Sequence, residues 1–252
     1  MTQPRTNIPA ARIARAYGRA AAEAIAETLW PTRCALCDEP GSVLCEACER
    51  ALPYIDAWRA CPVCGSPFGH AQCTECNPVS LGSAGRDKVP FESLASACVL
   101  TRESGLVVTT FKDRGEVRLA REMARIMAAR VSPEEARAIE GVAFVPATGK
   151  ARARRGFDHA EVLAHEVADA LGTQSLALLS RPRTLDQRSL SRRERMGNMA
   201  RTLQALPGAT CPRTLLVVDD VCTTGATLYS ACEALSAAGA QRLFCLTFAR
   251  AW

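Results

Sequence analysis

The chain has 252 residues, 48% of them hydrophobic, and a formal net charge of +5 from 31 basic and 26 acidic side chains. That is enough apolar material for one sizeable core plus a smaller module, and too little charge to indicate nucleic-acid binding from composition alone, although it suits anionic ligands. No apolar run reaches the length of a membrane span and no signal-peptide core stands out, so the expectation is a cytoplasmic protein without a membrane partner.

Residues 1–8 carry no periodic pattern. Pro9–Leu29 repeats Ile13, Tyr17, Ala21, Ile25 and Leu29 at roughly helical spacing until Pro31 ends the run. Its apolar face is thin, which suits a packing helix better than a membrane-surface one. Residues 1–30 therefore read as a tail and helix.

Eight of the thirteen cysteines fall in four Cys-x-x-Cys pairs, Cys34/Cys37, Cys45/Cys48, Cys61/Cys64 and Cys73/Cys76, with seven, twelve and eight residues between successive pairs. Each pair is a knuckle offering two thiolates to one tetrahedral ion, and two knuckles complete a structural zinc site, so eight ligands make two zincs. Sequential pairing is simplest because the shorter gaps then lie within each site; interleaving is the alternative. A thioredoxin-like redox role needs a βαβ context that four tandem pairs lack, and a secreted disulfide scaffold needs a secretion signal. With few large apolar residues between Cys34 and Cys76, metal must supply most of the local folding free energy, on the order of 10 kcal/mol per site. Residues 31–80 form this module. Of the other cysteines, Cys98, Cys211, Cys232 and Cys245 read as buried thiols, whereas Cys222, placed before a helix N-terminus, is where a thiolate would be favoured.

A Gly-Ser-rich link, Leu81 to Asp87, leads into a second domain over 88–252. A strand is expected over Leu94–Leu100 and helices over Glu103–Phe111 and Glu116–Arg130, broken at Lys112-Asp-Arg-Gly115. Val142–Val145 reads as a strand running into Thr148-Gly149-Lys150-Ala-Arg152-Ala-Arg154-Arg155, a basic loop whose guanidinium forks suit a diphosphate. A helix over Asp158–Leu171 and a strand over Leu176–Leu179 follow. Arg181–Arg201 then holds seven arginines against Asp186 and Glu194, a length that suggests a lid or binding arm.

Leu215–Val218 is a short continuous apolar run, as in a parallel strand buried on both faces, and such strands carry sites at their C-terminal ends. Asp219 and Asp220 follow, then Thr223-Thr224-Gly225-Ala226-Thr227 opening a helix over Ala226–Ala238 that Gly239 closes. Backbone N–H groups, hydroxyls and the positive helix end make this turn a phosphate site, while the acids suit sugar hydroxyls or a hydrated Mg²⁺. A plain strand end with a Ser/Thr-type helix cap is the simpler alternative, but it needs only one hydroxyl. Arg242–Ala249 completes a βαβ unit.

The acidic strand end with its Thr-Thr-Gly-Ala-Thr turn resembles the phosphoribosyl-pyrophosphate (PRPP) signature of type I phosphoribosyltransferases. Joined to Pro31-Thr-Arg-Cys34-Ala-Leu-Cys37, the four knuckles, Lys112 with Gly115, Arg155-Gly156-Phe157-Asp158, and Arg183-Thr184 with Gln187, Leu190, Arg195 and Asn198, it resembles the ComF family. Members of that family are bacterial phosphoribosyltransferase-like proteins with a double zinc ribbon, some linked to natural competence and DNA uptake. Two positions depart from its pattern: Asp158-His159 stands for Asn-Gln, and Thr148 for a proline.

The resemblance implies an α/β type I phosphoribosyltransferase fold, a mostly parallel sheet flanked by helices, behind an N-terminal double zinc ribbon. It further implies that Thr223 to Thr227 hold the 5′-phosphate of PRPP, Asp219 and Asp220 its ribose hydroxyls, and Thr148, Gly149, Lys150 and Arg155 its Mg-bound diphosphate, with Lys112 and Arg195 closing over the site. Loss of diphosphate would leave an oxocarbenium-like C1′ for an acceptor, which the sequence does not identify, to attack. Three functions follow: phosphoribosyl transfer, PRPP sensing without turnover, or a single-stranded-DNA-binding accessory of DNA-uptake proteins. With aromatics at 5%, a stacking DNA groove is the least favoured.

Overall fold

The computed structural model describes residues 31–83, 85–180 and 203–252. The helix expected over Pro9–Leu29 and the arm over Arg181–Arg201, with Arg183, Gln187, Leu190, Arg195 and Asn198, lie outside the described residues. The chain divides into two compact units, the first ending at Glu49 and the second running from Arg50 to Trp252.

In the first unit, Cys34–Pro40 turns back on itself. The Cys34 N–H donates to the Glu39 carbonyl at 2.9 Å, the Asp38 N–H to the Cys34 carbonyl at 3.0 Å, and Arg33 bridges Pro40. Helix α1, Glu46–Arg50, begins after Cys45. Among its described residues only Cys34 and Leu44 are buried, too little apolar surface to order a chain of this length.

The second unit opens with the other two cysteine pairs. The link expected from Leu81 is instead preceded by helix α2, Pro78–Ser83, because Asn77 caps it: its side-chain oxygen accepts the Ser80 N–H at 2.9 Å, and Leu81 buries. Then follow β1 (Ser93–Val99), α3 (Arg102–Lys112), α4 (Leu119–Ala128), α5 (Pro133–Ala138), β2 (Gly141–Phe144), α6 (Gly149–Arg155), α7 (His159–Leu171), β3 (Ser175–Leu176), β4 (Thr214–Cys222), α8 (Ala226–Ala237) and β5 (Arg242–Arg250).

Five strands form one sheet in the order β1-β5-β4-β2-β3, every pair parallel. β4 and β5 are buried almost throughout, as strands covered on both faces must be. One face packs Leu215 and Val217 against Leu228, Leu235 and Cys245 beneath α8. On the other, α4 and α7 pack on each other and on the sheet, burying Met123, Met127, Leu163 and Val167 completely. Each such side chain contributes roughly 1.5–3 kcal/mol.

Three expectations need correction. The basic segment after β2 is a helix, not a loop. The Thr148 hydroxyl accepts the Ala151 N–H at 3.2 Å as N-cap, alanine and arginine favour the helix, and Gly156 ends it at a φ of +81°. β4 does not stop at Val218 but runs to Cys222, with Asp219 opposite Thr247 and Cys222 opposite Arg250. β3 is only two residues long, and Leu179 pairs antiparallel with Ala205 instead.

The connections define a topological switch point in the sheet. From β2 the chain moves outward through α6 and α7 to β3, whereas from β4 it moves the opposite way through α8 to β5. The C-terminal ends of adjacent β2 and β4 therefore flank the topological switch point, where open parallel sheets form their binding crevice. No helix of the described residues is long and apolar enough to cross a membrane.

The third cysteine pair is joined to the sheet at Gly65, whose φ is +67° and where a Cβ would come within 2.4 Å of the Leu94 carbonyl oxygen. Gly65→Ala is expected to lower stability by at least about 2 kcal/mol, combining left-handed strain with that overlap. Gly208→Ala, with a similar φ of +76° but open space around it, should lose only about 1 kcal/mol in the same urea titration.

Candidate functional site

The thiols of Cys34, Cys37, Cys45 and Cys48 gather in one cluster, and those of Cys61, Cys64, Cys73 and Cys76 in another, with all four sulfurs of each within 4.8 Å of one another. This is the sequential pairing. A tetrahedral ion with Zn–S bonds of about 2.3 Å requires sulfurs ~3.8 Å apart along each edge. The Cys37–Cys45, Cys61–Cys76 and Cys64–Cys73 sulfurs stand 3.7, 3.6 and 3.5 Å apart, far beyond a disulfide bond. Backbone N–H groups of Cys45 and Glu75 donate to the sulfurs of Cys34 and Cys73, both at 3.4 Å, as a thiolate ligand requires. Both clusters thus fit structural zinc ions, each with a closed set of four ligands.

At the C-terminal end of β4, alternation sends Asp219 and Asp220 to opposite faces of the sheet. Asp220 is buried and meets the Lys112 ammonium at 2.6 Å, with the His159 ring 3.7 Å away. Burial pushes its pKa up, but the Lys112 ammonium outweighs that and holds Asp220 ionised, below the usual carboxylate range. Asp219 keeps partial access to solvent and accepts the Asp220 N–H at 2.9 Å. Burial first, and the adjacent Asp220 charge second, raise its pKa to about 8. Folding therefore favours protonated Asp219. That contribution is complete below the ordinary carboxyl range and is lost as pH climbs towards 8.

Lys112 ends α3 because Gly115 turns the chain at a φ of +77°. Its neighbour Asp113 receives Arg155 at 2.9 Å and Arg154 at 3.3 Å, so α3 and α6 are clamped together. Arg155 also donates to Nδ1 of His159 at 3.3 Å, which leaves the ring proton on Nε2, facing Asp220. Burial lowers the His159 pKa to about 4, so the ring is neutral at physiological pH. His159, which the sequence marked only as a departure from the family pattern and gave no role, is thus the link between the basic helix and Asp220. Asp158 beside it is a cap: its carboxylate accepts the Ala147 N–H at 3.0 Å and the Ala160 N–H at 3.2 Å, and adds no free acid to the crevice.

Across the switch point lies the hydroxyl turn. Thr223 and Thr224 are exposed, Ala226 and Thr227 are half-buried in the first turn of α8, and Gly225 sits between them at a φ of +73°. A Cβ there would also press on the Tyr229 ring at 3.2 Å, so glycine is required twice over. Thr148 is half-buried and Gly149 and Lys150 are exposed on the facing side, whereas Arg155 is committed to Asp113 and His159. Lys112, Asp220, His159 and Arg155 thus form one connected cluster, while Asp219 and the two turns lie at the C-terminal ends of the adjacent strands β4 and β2; Arg195 is outside the described residues. The expectation of a thiolate at Cys222 is corrected: burial pushes this thiol up despite the Arg250 guanidinium donating to its sulfur at 3.1 Å.

Removing Lys112 would strand a buried carboxylate. Lys112→Met is expected to destabilise the protein by about 3 kcal/mol in chemical denaturation, and Asp220→Asn added to it should recover most of that loss. Metal analysis of the purified protein should give two zincs per chain, and Cys37→Ser and Cys64→Ser should each reduce the content to one. A comparison with curated proteins returns no match. Residues 25–78 match the model of the double zinc ribbon domain, which spans both cysteine clusters.

Proposed function

We propose that the crevice between β2 and β4 binds PRPP with Mg²⁺, and that the chain is a ComF-like protein whose second unit has the type I phosphoribosyltransferase fold. The observation that carries this reading is the Thr223–Thr227 turn: exposed hydroxyls, a left-handed glycine and the N-terminus of a 12-residue helix, all at the switch point of a parallel sheet. The 5′-phosphate lies in this turn, the ribose hydroxyls against Asp219, and the diphosphate towards Thr148, Gly149 and Lys150. Mg²⁺ carried by the diphosphate beside Thr148, Gly149 and Lys150 would supply charge neutralisation of that leaving group. Lys112 releases Asp220 as the ribose enters, and the neutral His159 donates its Nε2 proton to whichever oxygen then faces it. Phosphoribosyl passes to an acceptor yet to be found, in a cell context linked by resemblance to DNA uptake.

The Lys112–Asp220 ion pair favours a second reading, PRPP sensing without turnover, because it occupies one acid of the site and must break for both to serve the ribose. Diphosphate release from PRPP against a panel of bases, nucleosides and DNA oligomers separates the two: the sensor binds and releases none.

Titration calorimetry with PRPP and Mg²⁺ tests the site. Thr224→Val and Asp219→Asn should each weaken binding by about tenfold, near 1.4 kcal/mol. Affinity should rise from pH 6.5 towards 8.5 as Asp219 loses its proton, and Asp219→Asn should remove that rise. Wild-type affinity in both variants would rule the site out.

A further inference from the structure

Arg250 is the last residue of β5 and is 4% exposed, yet it carries a full charge into the core. One guanidinium nitrogen pairs with the Glu75 carboxylate and another donates to the Cys222 sulfur at 3.1 Å, while its Nε has no partner. A buried ion pair with an unsatisfied N–H stabilises a fold less than an apolar side chain of the same volume would. Its use is geometric.

Both ends of the pair are informative. Glu75 lies between the metal-binding Cys73 and Cys76, its N–H is on the Cys73 sulfur, and its second carboxylate oxygen takes the Ser66 hydroxyl at 3.5 Å. Closure of the second cysteine cluster therefore fixes where this carboxylate stands. At the other end, Cys222 is the residue from which the hydroxyl turn departs. Its carbonyl accepts the Ala251 N–H at 2.9 Å, and its sulfur lies 3.8 Å from where a Cβ of Gly225 would be. The Tyr229 ring closes the turn's other side. It meets Phe91 edge-on at 5.3 Å and carries the Arg86 guanidinium over its face at 4.2 Å, both from the stretch that follows the knuckles.

We infer that Arg250 is a positioning residue that transmits the closed form of the second cysteine cluster, through Glu75 and Cys222, to the Thr223–Thr227 turn, so that anion binding at the turn depends on the second metal ion and not on the first. The anion-binding part rests on the reading given under Proposed function. A turn whose N–H groups are already aimed binds phosphate without an ordering cost, and loosening its wall restores that cost. Every residue named in this wall belongs to the second unit.

Three variants decide it: Glu75→Gln, Arg250→Met and, as the control, Cys37→Ser. Each is measured for zinc content, for amide hydrogen exchange over residues 224–229, and for PRPP–Mg²⁺ affinity. Glu75→Gln and Arg250→Met are expected to retain two zincs, to speed exchange in 224–229 by about tenfold while leaving 163–168 of α7 unchanged, and to weaken PRPP by a similar factor. Arg250→Lys should restore part of both. Cys37→Ser should lose one zinc and change neither. Unchanged exchange in Glu75→Gln, acceleration throughout the unit, or the same effect from Cys37→Ser would overturn the inference. Should Arg250→Met fail to fold, Glu75→Gln, an isosteric change that only removes the charge, still gives the answer. If the wild type does not bind PRPP, the phosphate reading falls while the exchange data continue to decide the relay.

Discussion

A carboxylate taken out of water must be met by a cation or lose its charge, and the end of β4 obeys this rule on behalf of most of the second unit. To reach Asp220, Lys112 must end α3 beside the sheet, and Gly115 must then turn the chain away. Once α3 ends there, Asp113 is placed to take Arg155 and Arg154, which draws α6 in, and Arg155 in turn fixes His159 at the start of α7. One buried charge thus sets the relative placement of a strand and three helices. The geometry of the crevice is a by-product of that neutralisation, since each group in it is held by the next.

The two acids share a sequence neighbourhood but have opposite electrostatic fates. Asp220 is held ionised by its cation, and its negative charge then helps hold Asp219 neutral near neutral pH. Adjacent residues of a strand face different environments, so identity alone does not fix their charge. Neither acid can be assigned a role in binding without stating the pH.

Much of this was legible in the chain. The cysteine spacing indicated two metal sites, because a knuckle is a local structure whose ligands lie close in sequence, but it left interleaved pairing open beside the sequential pairing that the structure shows. The apolar run at Leu215 and the βαβ pattern gave a parallel sheet and placed its binding end. What was not legible depends on contacts distant in sequence. Lys112 meets Asp220 across 108 residues, and Arg250 meets Glu75 across 175, separations for which no periodicity exists. The basic segment was misread as a loop because Thr148 was read for ligand chemistry, when it also caps a helix. Asp158, marked in the sequence only as a departure from the family pattern, likewise proves to be a cap, both its oxygens serving backbone N–H groups. The arm expected over Arg181–Arg201 lies outside the described residues.

The segment between the second and third cysteine pairs also matters for what the sheet can do with other copies of itself. The Ile55 N–H donates to the Ala97 carbonyl at 2.9 Å and the Val99 N–H to the Pro53 carbonyl at 2.8 Å, so residues 53–55 run antiparallel along the open side of β1. An uncovered edge strand is a template for pairing with another chain, and Pro53 and this short cover deny that template. The cover is held by those two bonds, by the Arg130 guanidinium donating to the Ile55 carbonyl at 2.8 Å, and by burial of the Leu52 and Ile55 side chains. A second copy of the sheet therefore meets, over residues 97–99 of β1, backbone groups that are already paired within the chain.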